Sequence, residues 1–152
     1  MSEDDEKLPV MYDTILIPTD GSTSAMRGAK HGVELAAEIG AEVHALYVIQ
    51  DATNPWNRDS LDDQMGAAEE WGNDQTQKVA DMAAEHGVEC VQETTVNKEI
   101  PVGIYEYIEE EGIDSVVMGS GFRGSLGGLF GSTAEKVVRI TDKPVTIVSL
   151  TD

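Results

Sequence analysis

The sequence predicts an α/β fold: a doubly wound parallel sheet of five strands in the order 3-2-1-4-5, with helices on both faces. Short apolar runs alternate along the chain with stretches of helical spacing, a pattern typical of right-handed βαβ units. The predicted strands are also nearly continuous apolar runs. This is expected of strands that helices cover on both sides.

Five segments are predicted as strands and four as helices, because turn and capping residues bound them. The predicted strands are Thr14–Ile17 (stopped by Pro18), Val43–Ile49, Val88–Val96, Ile113–Met118 and Pro144–Leu150. The predicted helices lead from a cap at Ser22 or Ser24 to Gly40, from about Leu61 to His86, from Pro101 to Gly112, and through Ala134, Val137 and Val138.

Length and composition predict a polar lead-in over residues 1–12 and one α/β domain over residues 13–152. No apolar run approaches the ~20 residues that cross a bilayer, and the acidic amino end is unlike a secretory signal. We therefore expect a cytoplasmic protein without membrane contact. The single cysteine, Cys90, lies beside a predicted strand and is expected to be a buried, inert thiol.

The net charge of −19, from 29 acidic and 10 basic residues, argues against nucleic-acid binding, which needs a basic surface. It also argues against docking on anionic lipid. The chain is either an ordinary acidic protein or one adapted to a very salty cytoplasm, where salt screens self-repulsion. Because the acidic excess is spread along the chain and lysines are few, the halophilic interpretation is favoured.

A glycine-rich stretch near the C-terminus carries the strongest functional signal. The predicted fourth strand leads into Gly119 and Gly121, nine residues follow, and Gly131 and Ser132 then precede a helix pattern. Glycine lets a backbone approach a ligand closely, and a helix N-terminus offers unpaired N–H groups with a partial positive charge. The stretch is either a phosphate site, with Ser132 as helix cap or hydroxyl donor, or a flexible loop.

A second signal follows the predicted first strand, where Pro18, Thr19 and Asp20 stand. In a doubly wound sheet, ligands bind beyond the carboxyl ends of strands at the point where the strand order reverses. With the order 3-2-1-4-5, these residues lie next to Met118 and Gly119 at the end of the fourth strand. Asp20 is either a turn former or part of the site, where it could also help to hold Mg²⁺ against phosphates.

Other chemistry finds little support in the sequence. The three histidines are scattered, no metal-ligand spacing occurs, and neither a Ser-His-Asp nor a Cys-His arrangement is evident. The lysine of a Walker motif is absent, since Ser132 follows Gly131 directly. Arg123, in the glycine-rich loop, is either a phosphate clamp or a solvated loop arginine.

Taken together, these segments resemble the universal stress protein family over about residues 12 to 150. The glycine stretch is the most specific part of the resemblance. The segments that resemble the family are Ile15–Ser22, Ala45–Ile49, Pro101–Gly119, Gly131–Val138 and Pro144–Val148.

The resemblance implies a nucleotide-binding domain over residues 13–152 that holds ATP between strands one and four. On this resemblance, Pro18, Thr19 and Asp20 would line the pocket, with Asp20 near the base and the ribose. The backbone of Val48 would lie near the adenine, and Met118 and Gly119 would lie under the ribose. The triphosphate would be held by Gly121, Gly131, Ser132 and Thr133. The resemblance also implies a homodimer through the last strand, Val145–Leu150, whose apolar edge would need cover.

In the ATP-binding branch of that family the pattern is Gly, two residues, Gly, nine residues, then Gly-Ser/Thr. Here either a single residue separates Gly119 from Gly121, or the missing residue falls later and Phe122 stands where the second glycine belongs. Three functions therefore stay open: an ATP-binding regulatory module, which is preferred; a slow ATPase; and a stress protein that acts only through protein contacts. No general base is evident for hydrolysis, and the shortened spacing supports the third. ADP, AMP or another adenine derivative could occupy the same pocket.

Overall fold

Five strands and four helices make up the described part of the chain, residues 12–51, 61–121 and 131–149 of a computed structural model. The strands are β1 (Thr14–Pro18), β2 (Glu42–Gln50), β3 (Cys90–Asn97), β4 (Ser115–Gly119) and β5 (Val145–Val148). The helices are α1 (Thr23–Ile39), α2 (Leu61–Glu85), α3 (Ile100–Glu111) and α4 (Ser132–Ile140).

The strands form one parallel sheet in the order β3-β2-β1-β4-β5, which confirms the predicted fold class and strand order. The pairing of β1 with β2 continues to Pro18 opposite Leu46. β1 pairs with β4 over a shorter length, at Ile15–Ser115 and Leu16–Val116. The carboxyl ends of β1 and β4 thus lie beside each other at the point where the strand order reverses.

Helices cover both faces of the sheet, and an apolar cluster lies between the sheet and the helices on each face. Alternate residues of β1 show this division, because Leu16 belongs to one cluster and Ile15 and Ile17 to the other. The cluster that contains Leu16 includes residues of α3 and α4, while the cluster that contains Ile15 includes residues of α1 and α2. α3 and α4 therefore share one side of the sheet.

Helix ends follow their local sequence signals. Ser22 caps α1, where its hydroxyl accepts a hydrogen bond from the Ala25 N–H at 3.1 Å. Gly40 and Gly112 end α1 and α3 in the left-handed region, with φ of 74° and 63°. A side chain would be strained at that φ, so glycine makes these stops sharp.

Some local predictions are wrong. β3 is not a buried apolar run: all eight of its residues are exposed or half-buried, and it is an outer strand with a neighbour on one side only. Of the three apolar residues from which the fourth helix is predicted, Ala134 and Val137 are buried in α4, but Val138 is exposed. Cys90 is half-buried rather than buried.

Other predictions lie partly outside the described residues, namely most of the lead-in over residues 1–12, Arg123, and Leu150 at the end of the last predicted strand. Within the described residues, no helix combines the length and the apolar character that crossing a bilayer requires.

Candidate functional site

The turn after β1 is built by its own side chains. The main-chain N–H of Thr19 donates to the Leu46 carbonyl at 2.9 Å, which continues the β1–β2 pairing beyond the strand. The Thr19 hydroxyl accepts from the Gly21 N–H at 3.1 Å, and Asp20 Oδ1 accepts from the Ser22 N–H at 2.9 Å. Thr19 is fully buried, and Asp20 is half-buried at the carboxyl edge of the sheet.

The end of β4 is packed tightly against α1. A Cβ built on Gly119 would overlap the carbonyl oxygen and the side chain of Ser24, and one built on Gly28 would lie 2.7 Å from the Gly119 nitrogen. Real Cβ atoms do not approach other heavy atoms this closely in either case. Glycine at position 119 is therefore required by the packing of α1 onto β4.

Two of the predicted phosphate-binding amides are bonded within the protein. The Gly121 N–H donates to the Ser24 hydroxyl at 2.8 Å, and the Gly131 N–H donates to the Ser120 carbonyl at 2.7 Å. These hydrogen bonds fix where the chain leaves β4 and where it returns to α4. Among the described residues of this segment, the amides of Gly121 and Gly131 are thus already used, and the start of α4 is the next place to look for anion donors.

The N-terminus of α4 supplies such donors. Gly131 occupies the N-cap position, with no side-chain capping hydrogen bond. Of the two roles considered for Ser132, that of helix cap is therefore wrong, and that of hydroxyl donor stays a prediction. Ser132 is the first helical residue, and the first main-chain bond within the helix joins the Glu135 N–H to the Gly131 carbonyl at 3.0 Å. The amides of Ser132, Thr133 and Ala134 are thus the ones that a helix leaves without an internal partner.

A cavity of about 360 Å³ lies between the N-termini of α3 and α4 and the end of β2. Its volume falls within the range that small-molecule sites occupy, ~300–1,000 Å³. We call it the helix-end cavity. The residues that line it are Gln50, Glu99, Ile100, Pro101, Ser132, Thr133 and Lys136.

The structure brings together some of the predicted site residues. Ser132 and Thr133 line the helix-end cavity, and Val48 lies two residues before Gln50 on the same strand. Pro18, Thr19 and Asp20 lie at the carboxyl edge beside Met118 and Gly119, yet they do not line that cavity. Met118 is fully buried in the apolar cluster shared with α3 and α4.

Three polar lining residues were not predicted from the sequence: Gln50, Glu99 and Lys136. Lys136 stands four residues after Ser132, so helical periodicity places both on one face of α4. That spacing is a signal that could have identified it. Glu99 and Gln50 carry no comparable signal, because only the packing of α3 beside α4 brings them to the cavity.

A buried polar group away from the cavity joins β2 to α3. His44 Nε2 lies 2.8 Å from Glu42 Oε1, and His44 Nδ1 lies 2.7 Å from the Tyr107 hydroxyl. Burial raises the pKa of the Tyr107 hydroxyl well above its usual range, and burial raises the pKa of the nearby Cys90 thiol to about 11. Both groups therefore stay protonated near neutral pH.

Across the described ranges, no group of three or more His, Cys, Asp or Glu side chains is arranged to hold a metal ion. On the α4 side, the helix-end cavity is lined by Ser132, Thr133 and Lys136, which offer helix amides, hydroxyls and an ammonium group. This donor set suits an anionic ligand.

Comparison with known proteins connects this fold to a family. A profile of the Universal stress protein family matches residues 11–149. Universal stress protein MJ0531 of Methanocaldococcus jannaschii is 35% identical over 147 residues, which cover 91% of this chain and 82% of that protein. Universal stress protein MJ0577 of the same organism is 33% identical and covered over 97% of its length.

Solved structures show the same architecture. That of the hypothetical protein MJ0577 superimposes with a TM-score of 0.78 at 27% identity, covering 91% of this chain and 96% of that one. A universal stress protein in complex with cAMP and one from Archaeoglobus fulgidus in complex with dAMP each have a TM-score of 0.66 at 22% identity. The cAMP complex aligns over 90% of this chain and 96% of its own chain, and the dAMP complex aligns over 91% and 99%. With the family profile matched over almost the whole chain, this protein belongs to the universal stress protein family.

Proposed function

We propose that the protein is a nucleotide-responsive module that binds ATP between the carboxyl ends of β1 and β4, with the phosphates at the N-terminus of α4. The observation that carries the proposal is the helix-end cavity, which Ser132, Thr133 and Lys136 line at the start of α4, where a helix leaves its first amides without an internal acceptor. Helix amides, the helix dipole and a lysine all favour a phosphate group. Two family members of the same fold are described in complex with cAMP and with dAMP, which supports an adenine nucleotide.

The β1–β4 edge and the α4 edge of the crevice have different roles in binding. Thr19, Asp20, Met118 and Gly119 form its rigid base, because hydrogen bonds and close packing hold them in place. The α4 end supplies the donors. Since the Gly121 and Gly131 amides bond within the protein, we assign the phosphates to Ser132, Thr133 and Lys136 among the described residues.

Binding is tested by isothermal titration with ATP, with and without Mg²⁺, and by mass spectrometry of nucleotide that copurifies with the folded protein. The titration is carried out at high salt, because a protein of net charge −19 repels a polyanion when the charge is unscreened. We expect micromolar binding or copurified nucleotide. If neither occurs at any salt concentration, the protein acts through protein contacts alone.

Hydrolysis is tested separately by phosphate release from bound ATP. We expect binding without turnover, so nucleotide occupancy, rather than chemistry, changes the surface that a partner meets. Release that is faster than in buffer and abolished by Gly131→Val would instead identify a slow ATPase.

We further propose that the protein forms a homodimer through β5 in the cytoplasm. β5 is an outer strand whose four residues are all half-buried, and Ile140 at the end of α4 is 43% exposed. Sedimentation of Ile140→Lys tests this, with Ile39→Lys on α1, 44% exposed, as the matched control. Only Ile140→Lys should weaken the dimer, and equal behaviour of the two variants would contradict this interface.

The acidic composition leads us to propose a cytoplasm of high ionic strength as the working environment. Urea unfolding at increasing KCl tests this proposal, since screening relieves the repulsion within a chain of net charge −19. We expect the unfolding midpoint to rise steadily up to molar KCl. A midpoint that does not change with salt would identify an ordinary acidic protein.

A further inference from the structure

The outer edge of β3 carries a row of main-chain groups that point away from the sheet. Where its parallel pairing with β2 begins, the Val43 N–H donates to the Glu89 carbonyl at 2.9 Å. Where the pairing ends, the Asp51 N–H donates to the Asn97 carbonyl at 2.9 Å. Between these bonds, alternate residues of β3 turn their main chain towards β2 and away from it. The residues whose N–H and carbonyl groups point outward are Cys90, Gln92, Thr94 and Val96.

This edge lacks most of the devices that protect an outer strand. Such devices are proline, lysine, a bulge or a very short strand. β3 has eight residues with neither proline nor lysine, and its register with β2 runs without a bulge from Cys90 to Asn97. Within residues 12–51, 61–121 and 131–149, no main-chain hydrogen bond reaches the outward groups. The edge is therefore able to pair with an added strand.

The two faces of β3 differ in charge at this edge. Glu93 is exposed, and it lies on the face of α3, because it pairs with Leu46 of the cluster that α3 covers. Burial is the main cause of the raised pKa of the Tyr107 hydroxyl on α3, and the charges of Glu111, Glu93 and Glu42 add to it. Three carboxylates therefore surround this part of the α3 face.

The opposite face of β3, which α2 covers, carries no charge. Gln92 Nε2 donates to the Thr76 hydroxyl of α2 at 3.1 Å, which shows that the even-numbered side chains point to this face. Val96 is the most exposed apolar residue of the strand, at 47%. An added strand thus meets carboxylates on one face and uncharged, partly apolar side chains on the other.

Charge decides between the two occupants that such an edge can take. A second copy of this chain would bring the same carboxylates to the interface, between two molecules of net charge −19. Like charges across a strand pair are destabilising, and opposite charges are stabilising. An extended segment with lysine or arginine at every second position places all its positive charges on one face. The edge of β3 therefore favours a basic strand over a second copy.

We propose that the outer edge of β3 is a docking site for an extended basic segment of a partner protein, which joins the sheet as a further strand. Its main chain bonds to the outward groups of Gln92, Thr94 and Val96. Its basic side chains face Glu93, and the uncharged side chains between them lie on the α2 face beside Val96. The site goes beyond the proposed nucleotide binding, because β2 separates β3 from the β1–β4 crevice.

The test uses the labelled full chain and, as probe, a capped peptide in which lysine and valine alternate. Amide hydrogen exchange is followed by NMR at ~0.15 M and ~1 M KCl, because at the higher concentration the Debye length is only ~3 Å and long-range attraction is screened. With the probe at about ten times its Kd, exchange at Gln92, Thr94 and Val96 should slow by about tenfold at both salt concentrations. The inward amides of β3 already bond to β2 and should not change.

Two matched controls separate strand pairing from attraction to an acidic protein. A probe of the same sequence with N-methyl groups on its central residues keeps the charge but loses amide donors, so it should not slow the exchange. Glu93→Lys should weaken binding of the original probe about three- to tenfold at ~0.15 M salt. Glu34→Lys changes the net charge equally at an exposed position of α1, on the other face of the sheet, and should match the wild type.

Two results would overturn the proposal. Equally tight binding of the N-methylated probe, or slowing of outward and inward amides alike, would show attraction without strand pairing. Slowing at the outward amides that grows with protein concentration in the absence of the probe would identify a second copy as the occupant. The experiment contains no nucleotide, so its outcome is independent of the proposed nucleotide binding.

Discussion

The hydroxyl of Ser24 accepts a hydrogen bond from the main-chain N–H of Gly121 at 2.8 Å, which joins the first turn of α1 to the residue that follows β4 and Ser120. Both residues are buried. The same turn of α1 lies against Gly119, so no side chain fits there. A buried contact between α1 and β4 therefore fixes the start of the glycine-rich segment, independently of any ligand.

Replacement of Ser24 by alanine should destabilise the fold by about 1–3 kcal/mol, because it leaves the Gly121 amide buried without an acceptor. Alanine is otherwise the better helix former, so helix propensity works against this effect. Urea unfolding measures it, with Thr23→Ala as control, since Thr23 is exposed in the same turn. A Ser24→Ala variant as stable as Thr23→Ala would show that the amide finds another partner.

Replacement of Gly119 by alanine should cost about 1–3 kcal/mol or more, because the new methyl group meets the Ser24 backbone, which cannot rotate away. The matched control is Gly66→Ala on α2, where a Cβ meets nothing within 4 Å. That change should stabilise the protein by about 0.5–1 kcal/mol. Thermal unfolding gives the midpoint temperatures of both variants. A Gly119→Ala midpoint at or above the wild-type value would refute the packing argument.

The substitution Lys136→Gln should weaken ATP binding by about three- to tenfold at ~0.15 M salt. It removes a charge-assisted hydrogen bond to phosphate at a position that salt partly screens. Lys30→Gln is the control: Lys30 is exposed on α1, and its loss changes the net charge equally. Calorimetric titration compares the two. Equal affinities of Lys136→Gln and Lys30→Gln would show that only the total charge of the protein matters.

The stability of the protein should fall as the pH rises from 9 to about 11. The pKa of the Cys90 thiol is raised by burial from 9.0 to about 11, and burial also raises the pKa of the Tyr107 hydroxyl. Above pH 9 the unfolded chain releases the thiol proton while the folded protein retains it. The unfolded state then binds fewer protons, and the free energy of unfolding decreases. Below pH 9 these two groups contribute no slope.

Urea midpoints across this pH range for the wild type and Cys90→Ala test that assignment. The variant should show a shallower decline, and Tyr107 should account for what remains at the higher pH values. A decline of the same steepness in both proteins would exclude the thiol as its source.

The sequence carried enough information for the strand order and for most helix ends. Apolar runs and glycine stops are local signals, and the glycines at 40 and 112 do adopt the left-handed conformation that ends a helix. Exposure was harder to predict. Val91 and Val96 are exposed because β3 is an outer strand, and single residues do not reveal which strand lies at an edge.

The candidate site was predictable only where it is local in sequence. Ser132 and Thr133 follow the glycine-rich segment and do line the cavity. Glu99 reaches the same cavity from a segment more than thirty residues away, through the packing of α3 beside α4. The internal bonds of the Gly121 and Gly131 amides likewise depend on α1 and β4, and no glycine spacing reveals them.

The most direct test follows the main-chain amides of Ser132 and Thr133 by NMR while ADP is added to the labelled protein at high salt. The references are the amides of Gly40 and Gly112, which bond to carbonyls at the C-terminal ends of α1 and α3. Phosphate bound at the N-terminus of α4 should shift the Ser132 and Thr133 signals strongly and slow their hydrogen exchange, with the two references unchanged. Saturating nucleotide that leaves both signals in place would contradict the account, because the phosphates would then bind elsewhere or not at all.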